Sequence, residues 1–246
     1  AGPIELREAQ LRKIDRLLDL AQVREGTRVL ELGTGWGELA VRAGGRNAHV
    51  RTVTLSEQQA QYAANKVRDA GLAQAVDVEM ADYRSIGCGN GAYDAVICVE
   101  MLEGIGEENW ADFFSLLNRV LTPTGRIALH VITVKSERFE VSKRRHNWIT
   151  KYIFPGWQLP SIPALHTLAR EHTSLSVLDI MSFGPHYAET LRIWRETFQR
   201  NERGIRELGF DSVFVRTWLF YLASCEAAFR AGHFDVHHIL LGRTGE

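Results

Sequence analysis

Cysteine is scarce in this chain of 246 residues, which has only Cys88, Cys98 and Cys225 and no CxxC pair. Three scattered thiols make neither a disulfide framework nor a thiolate metal site, and they point to a reducing, cytoplasmic setting. An excess of either charge is lacking too. The 29 Lys and Arg against 30 Asp and Glu leave a formal net charge of −1, which excludes the strongly basic face of a nucleic-acid binder. No run approaches the roughly 20 apolar residues of a membrane span; the nearest, Val213 to Phe229, carries Arg216 and Glu226. Internal repeats and low-complexity stretches are missing as well. The opening Ala1-Gly2-Pro3 has neither an initiator Met nor a signal-peptide pattern, so a segment is expected upstream. What is present, 45% hydrophobic and 24% charged residues, suffices to bury one core and excludes global disorder.

The apolar residues of Ile4 to Leu20 fall at helical spacing. Beyond Gly26 the chain alternates. The pattern predicts strands at Arg28–Leu32, His49–Thr54, Val76–Glu79, Tyr93–Val99 and Arg126–Thr133. Helices beginning at Glu38 and spanning Glu57–Asp69 and Glu108–Leu121 fall among them. Such alternation implies a mostly parallel sheet covered by helices on both faces. From Lys135 to Pro163 the rhythm gives way to charge, aromatics and proline, which suggests an insertion, a cap over about residues 134–174, that covers the site. A strand at Leu175–Ile180, helices at Ala188–Glu207 and Ser212–Phe229, and a strand at Val236–Leu241 bring the sheet to seven strands.

In an open α/β sheet, ligands bind beyond the carboxyl ends of the strands. There the first strand runs into Glu31-Leu-Gly-Thr-Gly-Trp-Gly37. Its glycines alternate, unlike the G-x-G-x-x-G dinucleotide loop, and an acid precedes them. Gly33 and Gly35 let backbone approach a ligand, and Glu31 offers a carboxylate to an amino group or a sulfonium, the logic of an S-adenosylmethionine (SAM) site. A tight turn that needs glycine for packing is the plainer alternative. Thr54, Ser56 and Gln59 at the second strand end can bind ribose hydroxyls, although Ser56 is equally a helix N-cap. Asp82 and Tyr83 after the third strand can contact an adenine or be ordinary loop residues.

With these loops in line, the chain resembles the cyclopropane fatty acid synthase family of SAM-dependent methyltransferases. The match extends through Val99-Glu-Met-Leu-Glu103, His130-Val-Ile132, Lys151-Tyr-Ile-Phe-Pro-Gly156 with Leu159-Pro-Ser161, His186-Tyr187-Ala-Glu-Thr-Leu191 and Tyr221-Leu-Ala-Ser-Cys225. The resemblance implies a Rossmann-like methyltransferase fold. It also implies SAM held by Glu31, Gly33, Thr34, Gly35, Gly37, Thr54, Leu55, Ser56, Gln59, Asp82 and Tyr83. The reaction it implies is methylene transfer from SAM to a cis double bond in a phospholipid acyl chain, through a carbocation deprotonated by bound bicarbonate. Glu103, His130, Tyr187 and the backbone of Ile132 would hold that ion, and Cys225 aligns with a cysteine sometimes assigned as catalytic. No metal is implied.

Each carried-over role has a structural rival. Glu103 can cap the next helix, His130 can be a satisfied core residue, Tyr187 a buried aromatic and Cys225 a packed thiol. The aromatics Trp148, Tyr152, Phe154, Trp157, Trp194, Phe214 and Trp218 can line an acyl channel or fill the core. Three positions depart from the family's pattern: Thr34 stands for a cysteine, Gly104 for a histidine, and Trp157 for a second glycine after Phe154-Pro-Gly156. The family's Tyr-Ser-Cys segment, expected before the first helix, is not in these residues.

Several outcomes stay open at this level. The carbocation can close a ring, or shift a hydride before proton loss and leave a methylene branch for a partner reductase. Methylation of a soluble small molecule and a non-catalytic SAM-binding subunit are the other readings. A homodimer also stays open. Peripheral contact with the inner face of the membrane is expected through Lys143, Arg144, Arg145, Lys151 and Trp157.

Overall fold

The computed structural model describes residues 3–87, 91–144 and 148–244. Cys88 and Arg145 lie outside them, as do the side chains of Lys143 and Arg144.

The first helix, α1 (Pro3–Leu20), buries Ile14, Leu17 and Leu18. It is followed by β1 (Arg28–Leu32), α2 (Glu38–Gly44), β2 (His49–Thr54), α3 (Glu57–Asp69), β3 (Val76–Met80) and β4 (Tyr93–Val99). Ser56 caps α3 by accepting from the Gln59 backbone N–H, as its sequence position predicts. A 3-10 turn at Glu107–Asn109 delays α4 (Trp110–Val120) by two residues against the predicted start. The fifth strand, β5 (Leu121–Val134), is longer than predicted because its register shifts between Tyr93 and Ala95 and admits the exposed Pro123 and Thr124.

The stretch read as lacking rhythm is partly helical: α5 (Ser136–Arg144) and α6 (Trp148–Tyr152) precede α7 (Ile162–His172). Ser161 caps α7. Leu165 and Ala169 of α7 join the core formed by Phe113, Phe114 and Leu117 of α4, so α7 covers the sheet. Only α5, α6 and the strap to Pro160 remain to lie over the site. After β6 (Ser176–Ser182) the predicted helix breaks at Asn201 into α8 (Gly184–Arg200) and α9 (Glu202–Glu207). Asp211 caps α10 (Ser212–Arg230), which leads to β7 (Phe234–Gly242).

The sheet order is β3-β2-β1-β4-β5-β7-β6. All pairings from β3 to β5 are parallel, and β7 runs antiparallel to both β5 and β6. Side chains alternate between faces as pleating requires. Leu30, Leu32, Val96 and Cys98 pack toward α4, while Val29, Ala95 and Ile97 share a core with α1, α2 and α3. A third cluster joins Ile132 and Val236 to Ala188, Leu191, Leu222 and Phe229. The chain reverses its direction of travel across the sheet between β1 and β4, which places the ligand crevice beyond their carboxyl ends.

Candidate active site

The glycine loop leaves β1 at that crevice. Gly33, Gly35 and Gly37 have φ of +93°, +52° and +76°, a region that L side chains rarely adopt. Their reasons differ. At Gly37 an added Cβ would lie 2.8 Å from Ala63 Cβ, so the packing alternative holds there. At Gly35 it would meet nothing within 4 Å, which leaves open space for a ligand. Thr34 is buried and its hydroxyl accepts from Thr52 Oγ1 at 2.7 Å. Beside the loop, Glu31 is buried, and its Oε2 has no hydrogen-bond partner among the described residues. Burial pushes its carboxyl up to about 8, and a hydrogen bond with Thr52 draws it back only in part. An orphaned carboxylate beside a bare glycine turn fits a cationic ligand, and the SAM ammonium and sulfonium are of that kind.

Leu55 is exposed at the second strand end. Thr54 Oγ1 donates to Gln59 Oε1 at 2.8 Å and accepts from the Ser56 N–H at 3.2 Å, an arrangement that stiffens this turn. Asp82 is occupied by the Arg84 backbone and guanidinium, which hold it below the usual carboxylate range. Tyr83 packs edge-on against Phe113. The three predicted loops therefore meet at one end of the sheet, with Asp82 and Tyr83 tied to their own neighbours.

On the other side of the crevice, β4 is followed by Glu100, whose φ is +50°. A non-glycine residue there costs on the order of 1–3 kcal/mol and persists where surroundings demand it. The demands are visible. The Glu100 backbone N–H donates to the His130 carbonyl at 2.8 Å. Its Oε1 lies 3.0 Å from His130 Nε2, and its Oε2 accepts from the Tyr187 hydroxyl at 2.8 Å. Burial works to raise Glu100, but the hydrogen bond and charge of His130, the Lys13 charge and the Tyr187 hydrogen bond outweigh it and hold Glu100 below its ordinary value. His130 is fully buried and is held below its own ordinary value chiefly by burial, against the hydrogen bond and charge of Glu100, which work to raise it.

Glu103, for which a helix cap was the structural alternative, makes its hydrogen bond to a neighbouring strand instead. It is fully buried, and its Oε1 accepts from the Ile132 N–H at 2.6 Å. Burial, with the Glu100 charge second, pushes Glu103 up to about 8, so it is protonated at neutral pH. The expected group of Glu103, His130, Ile132 and Tyr187 is thus gathered around one place, but three of its donors are already paired, and the polar atoms left without a partner among the described residues are Glu103 Oε2 and His130 Nδ1. Ile132 N–H goes to Glu103, and His130 and Tyr187 go to Glu100. Bicarbonate does not fit this set. Sequence reasoning passed over Glu100 although it stands inside the Val99–Glu103 block; its signal was a charged residue at the carboxyl end of a strand at the switch point.

Glu100 faces a cavity of about 190 Å³. Ile132 and Val134 of β5, Phe154, Trp157 and Leu159 of the cap, Tyr187, Leu191 and Trp194 of α8, and Tyr221, Cys225 and Phe229 of α10 line it. The Cys225 thiol is pushed up to about 12 by burial, so it stays protonated and forms apolar wall. Of the aromatics proposed for a channel, Phe154, Trp157 and Trp194 line this cavity, while Trp148 sits beside its mouth against Phe220 and Tyr152. Phe214 and Trp218 stack on each other at 5.8 Å and pack with Phe198 outside the lining. Trp157 stacks on Phe154 at 4.2 Å, and its indole occupies the space left by Gly104, where an added Cβ would lie 3.0 Å from Nε1.

Sheet order, glycine loop and apolar cavity together define a Rossmann-like methyltransferase fold. The chain belongs to the mycolic acid cyclopropane synthetase family, whose model matches residues 3–239. It is 47% identical over 241 residues to the tuberculostearic acid methyltransferase UfaA1 of Mycobacterium tuberculosis, covering 98% of this chain and 56% of that protein. It is 32% identical over 242 residues to the cyclopropane-fatty-acyl-phospholipid synthase of Escherichia coli, covering 98% and 60%. The chain therefore spans little more than half the length of these relatives. Among solved structures, mycolic acid cyclopropane synthase CmaA1 complexed with SAH and CTAB superposes with a TM-score of 0.87 at 29% identity, covering 96% of this chain and 85% of that one. The cyclopropane synthase MmaA2 from Mycobacterium tuberculosis gives 0.88 at 26%, covering 99% and 87%.

Proposed function

We propose that this chain is the catalytic part of a SAM-dependent C-methyltransferase acting on a cis double bond in a phospholipid acyl chain. One observation carries the reading: an apolar, aromatic cavity with one carboxylate, Glu100, in the wall that the described residues form, and a glycine loop suited to a cation at the same end of the sheet. Glu31, the Gly33–Gly37 turn, Leu55 and Gln59 would hold the cofactor. When bound, SAM supplies an electrophilic methyl to the alkene and leaves as S-adenosylhomocysteine, so the acyl chain keeps one positive carbon and must shed one proton. The chain's own groups answer that need. Phe154, Trp157, Tyr187 and Phe229 present aromatic surface to a passing cation, the apolar walls disfavour water that would trap it, and the negative Glu100 stabilises it.

A lipid reaches such a cavity from a membrane surface. Among the described residues no helix is long and apolar enough to cross a membrane. Exposed Tyr152 and Phe220 flank Trp148 beside the lining residues Ile149 and Thr150, and this apolar rim suits peripheral contact. Lys151, whose ammonium lies over the Tyr152 ring at 5.0 Å, adds a positive charge to that rim.

Proton loss that closes a ring gives a cyclopropane. A second reading, favoured by the 47% identity to a tuberculostearic acid methyltransferase, is a hydride shift before proton loss, which leaves a methylene branch for a reductase to consume. Mass spectrometry of cis-monounsaturated phospholipid vesicles incubated with the protein and SAM decides. A gain of one CH₂ with loss of the alkene means a ring, and a gain with the alkene kept means a branch. Turnover of a soluble acceptor but never of vesicles would overturn the lipid reading, and tight SAM binding without transfer to any acceptor would favour the non-catalytic one.

A further inference from the structure

The three donors that would have to cradle a bound anion all end on carboxylates of the chain itself. His130 Nε2 and the Tyr187 hydroxyl meet Glu100, and the Ile132 N–H meets Glu103. A bicarbonate ion would have to displace a tethered carboxylate and then lie beside it. Two anions side by side in an apolar cavity is an arrangement that burial and like charge both oppose. The backbone supports the same conclusion: Glu100 adopts φ +50° at the end of β4, where glycine would be relaxed, and the reward for that strain is a carboxylate aimed into the cavity.

We infer that Glu100 is the resident proton acceptor of this site and does the work for which the family's bicarbonate is expected. The inference rests on the methyl-transfer reading for its reaction, but not for the occupancy of the anion position. The step balances within the chain and its substrate. A C–H bond of the newly transferred methyl breaks, its electron pair forms the new carbon–carbon bond at the positive carbon, and the proton goes to a Glu100 carboxylate oxygen. The methyl is carried by the carbon next to the cationic one, and its C–H bonds are acidified as they lean toward the positive centre, so an ordinary carboxylate suffices if it is ionised and in place. His130, Tyr187 and Lys13 keep it ionised, and the protonated Glu103 adds no competing charge. One quarter of the Glu100 side chain is exposed, at 25%, so it has surface left to meet substrate. Tyr187 lines both this cavity and a second one of about 520 Å³ bounded by Lys13, Arg16, His130 and His238, which offers the proton a polar way out after turnover.

The test uses the whole chain in three forms: unaltered, Glu100→Gln and Glu100→Gly. Glycine suits the positive φ and empties the anion position, so the second variant is expected to fold. Titration with [¹³C]bicarbonate, followed by NMR of the ion and of the His130 ring, is expected to show no saturable binding to the unaltered chain and saturable binding to Glu100→Gly. Turnover on cis-unsaturated vesicles is expected to be the same in bicarbonate-free and bicarbonate-containing buffer. In Glu100→Gln it should fall on the order of 100-fold or more, with SAM binding retained by calorimetry. Added bicarbonate or formate should restore part of the activity of Glu100→Gly. Saturable bicarbonate binding to the unaltered chain, loss of its turnover when bicarbonate is removed, or Glu100→Gln within about threefold of it would each overturn the inference. If no vesicle is methylated in either buffer, the lipid reading fails while the binding titration still decides whether Glu100 fills the anion position.

Discussion

Two glutamates, Glu31 buried and Glu100 one quarter exposed, stand at the ends of neighbouring strands and meet opposite fates. Glu31, on β1, has one oxygen without a partner among the described residues and is pushed up to about 8, whereas Glu100, just past β4, is held below its ordinary value by three groups from distant segments. The difference separates the two halves of the crevice. The cofactor half is left electrostatically incomplete without its cation. The acyl half completes its own charge and needs an apolar guest. A carboxylate waiting for a partner and a carboxylate kept ready to take a proton look alike in sequence; the surrounding donors distinguish them.

Glu31→Gln tests the first half most severely. It is expected to weaken SAM binding on the order of 100-fold, the scale of a lost buried charge-assisted contact, while raising the melting temperature of the ligand-free protein at pH 8, both read by calorimetry. The pH dependence carries the sign. A folded carboxyl raised toward about 8 from an ordinary 4.5 binds more protons than the unfolded chain does across that interval, so ligand-free stability should fall as pH climbs through it. Glu103 contributes in the same direction. Glu31→Gln and Glu103→Gln should each flatten that slope in pH-dependent thermal unfolding, and a slope unchanged in both would break the contrast.

In the acyl half, Tyr187→Phe removes one hydrogen bond to Glu100 and is expected to lower turnover on the order of tenfold. The acid limb of the pH–rate profile should move upward, because the carboxylate loses a donor that favours its charged form. Lys13, His130 and Glu103 also face Glu100, and they stay in place. A smaller effect belongs to Gly104→Ala, which sets a methyl 3.0 Å from Trp157 Nε1. It should cost about 1 kcal/mol in urea unfolding, and Trp157→Leu in the same chain should recover it. The smallest is Cys225→Ala, expected to leave turnover within about threefold because the neutral thiol serves as wall; a loss of several orders of magnitude would restore it as a nucleophile.

Much of the cofactor half was legible because its needs are local. Alternate glycines mark positive φ, Ser56 with Gln59 marks a cap, and period-two apolar residues mark strands. The acyl half was legible only as a set of blocks. Glu100, His130 and Tyr187 come from positions 87 residues apart at the extremes, and no spacing rule says that their side chains converge. The helical cap segments α5 and α6 were read as irregular because their charge and aromatics serve a cavity instead of one buried face.

The sequence by itself determined the seven-stranded α/β architecture and the place of the glycine turn, because pleat alternation, helical periodicity and the steric freedom of glycine act between near neighbours. Only the tertiary structure decided which of two glutamates three residues apart faces the apolar cavity. At Glu100 the chain turns through a positive φ and meets His130 and Tyr187, while Glu103 is turned inward and closed off by the Ile132 N–H. It also joined two separate departures from the family pattern into one feature, since the absent side chain at Gly104 is what makes room for the indole of Trp157. Such assignments depend on which donors, charges and volumes the fold brings within a few ångströms, and that proximity is not a property of any single stretch of chain.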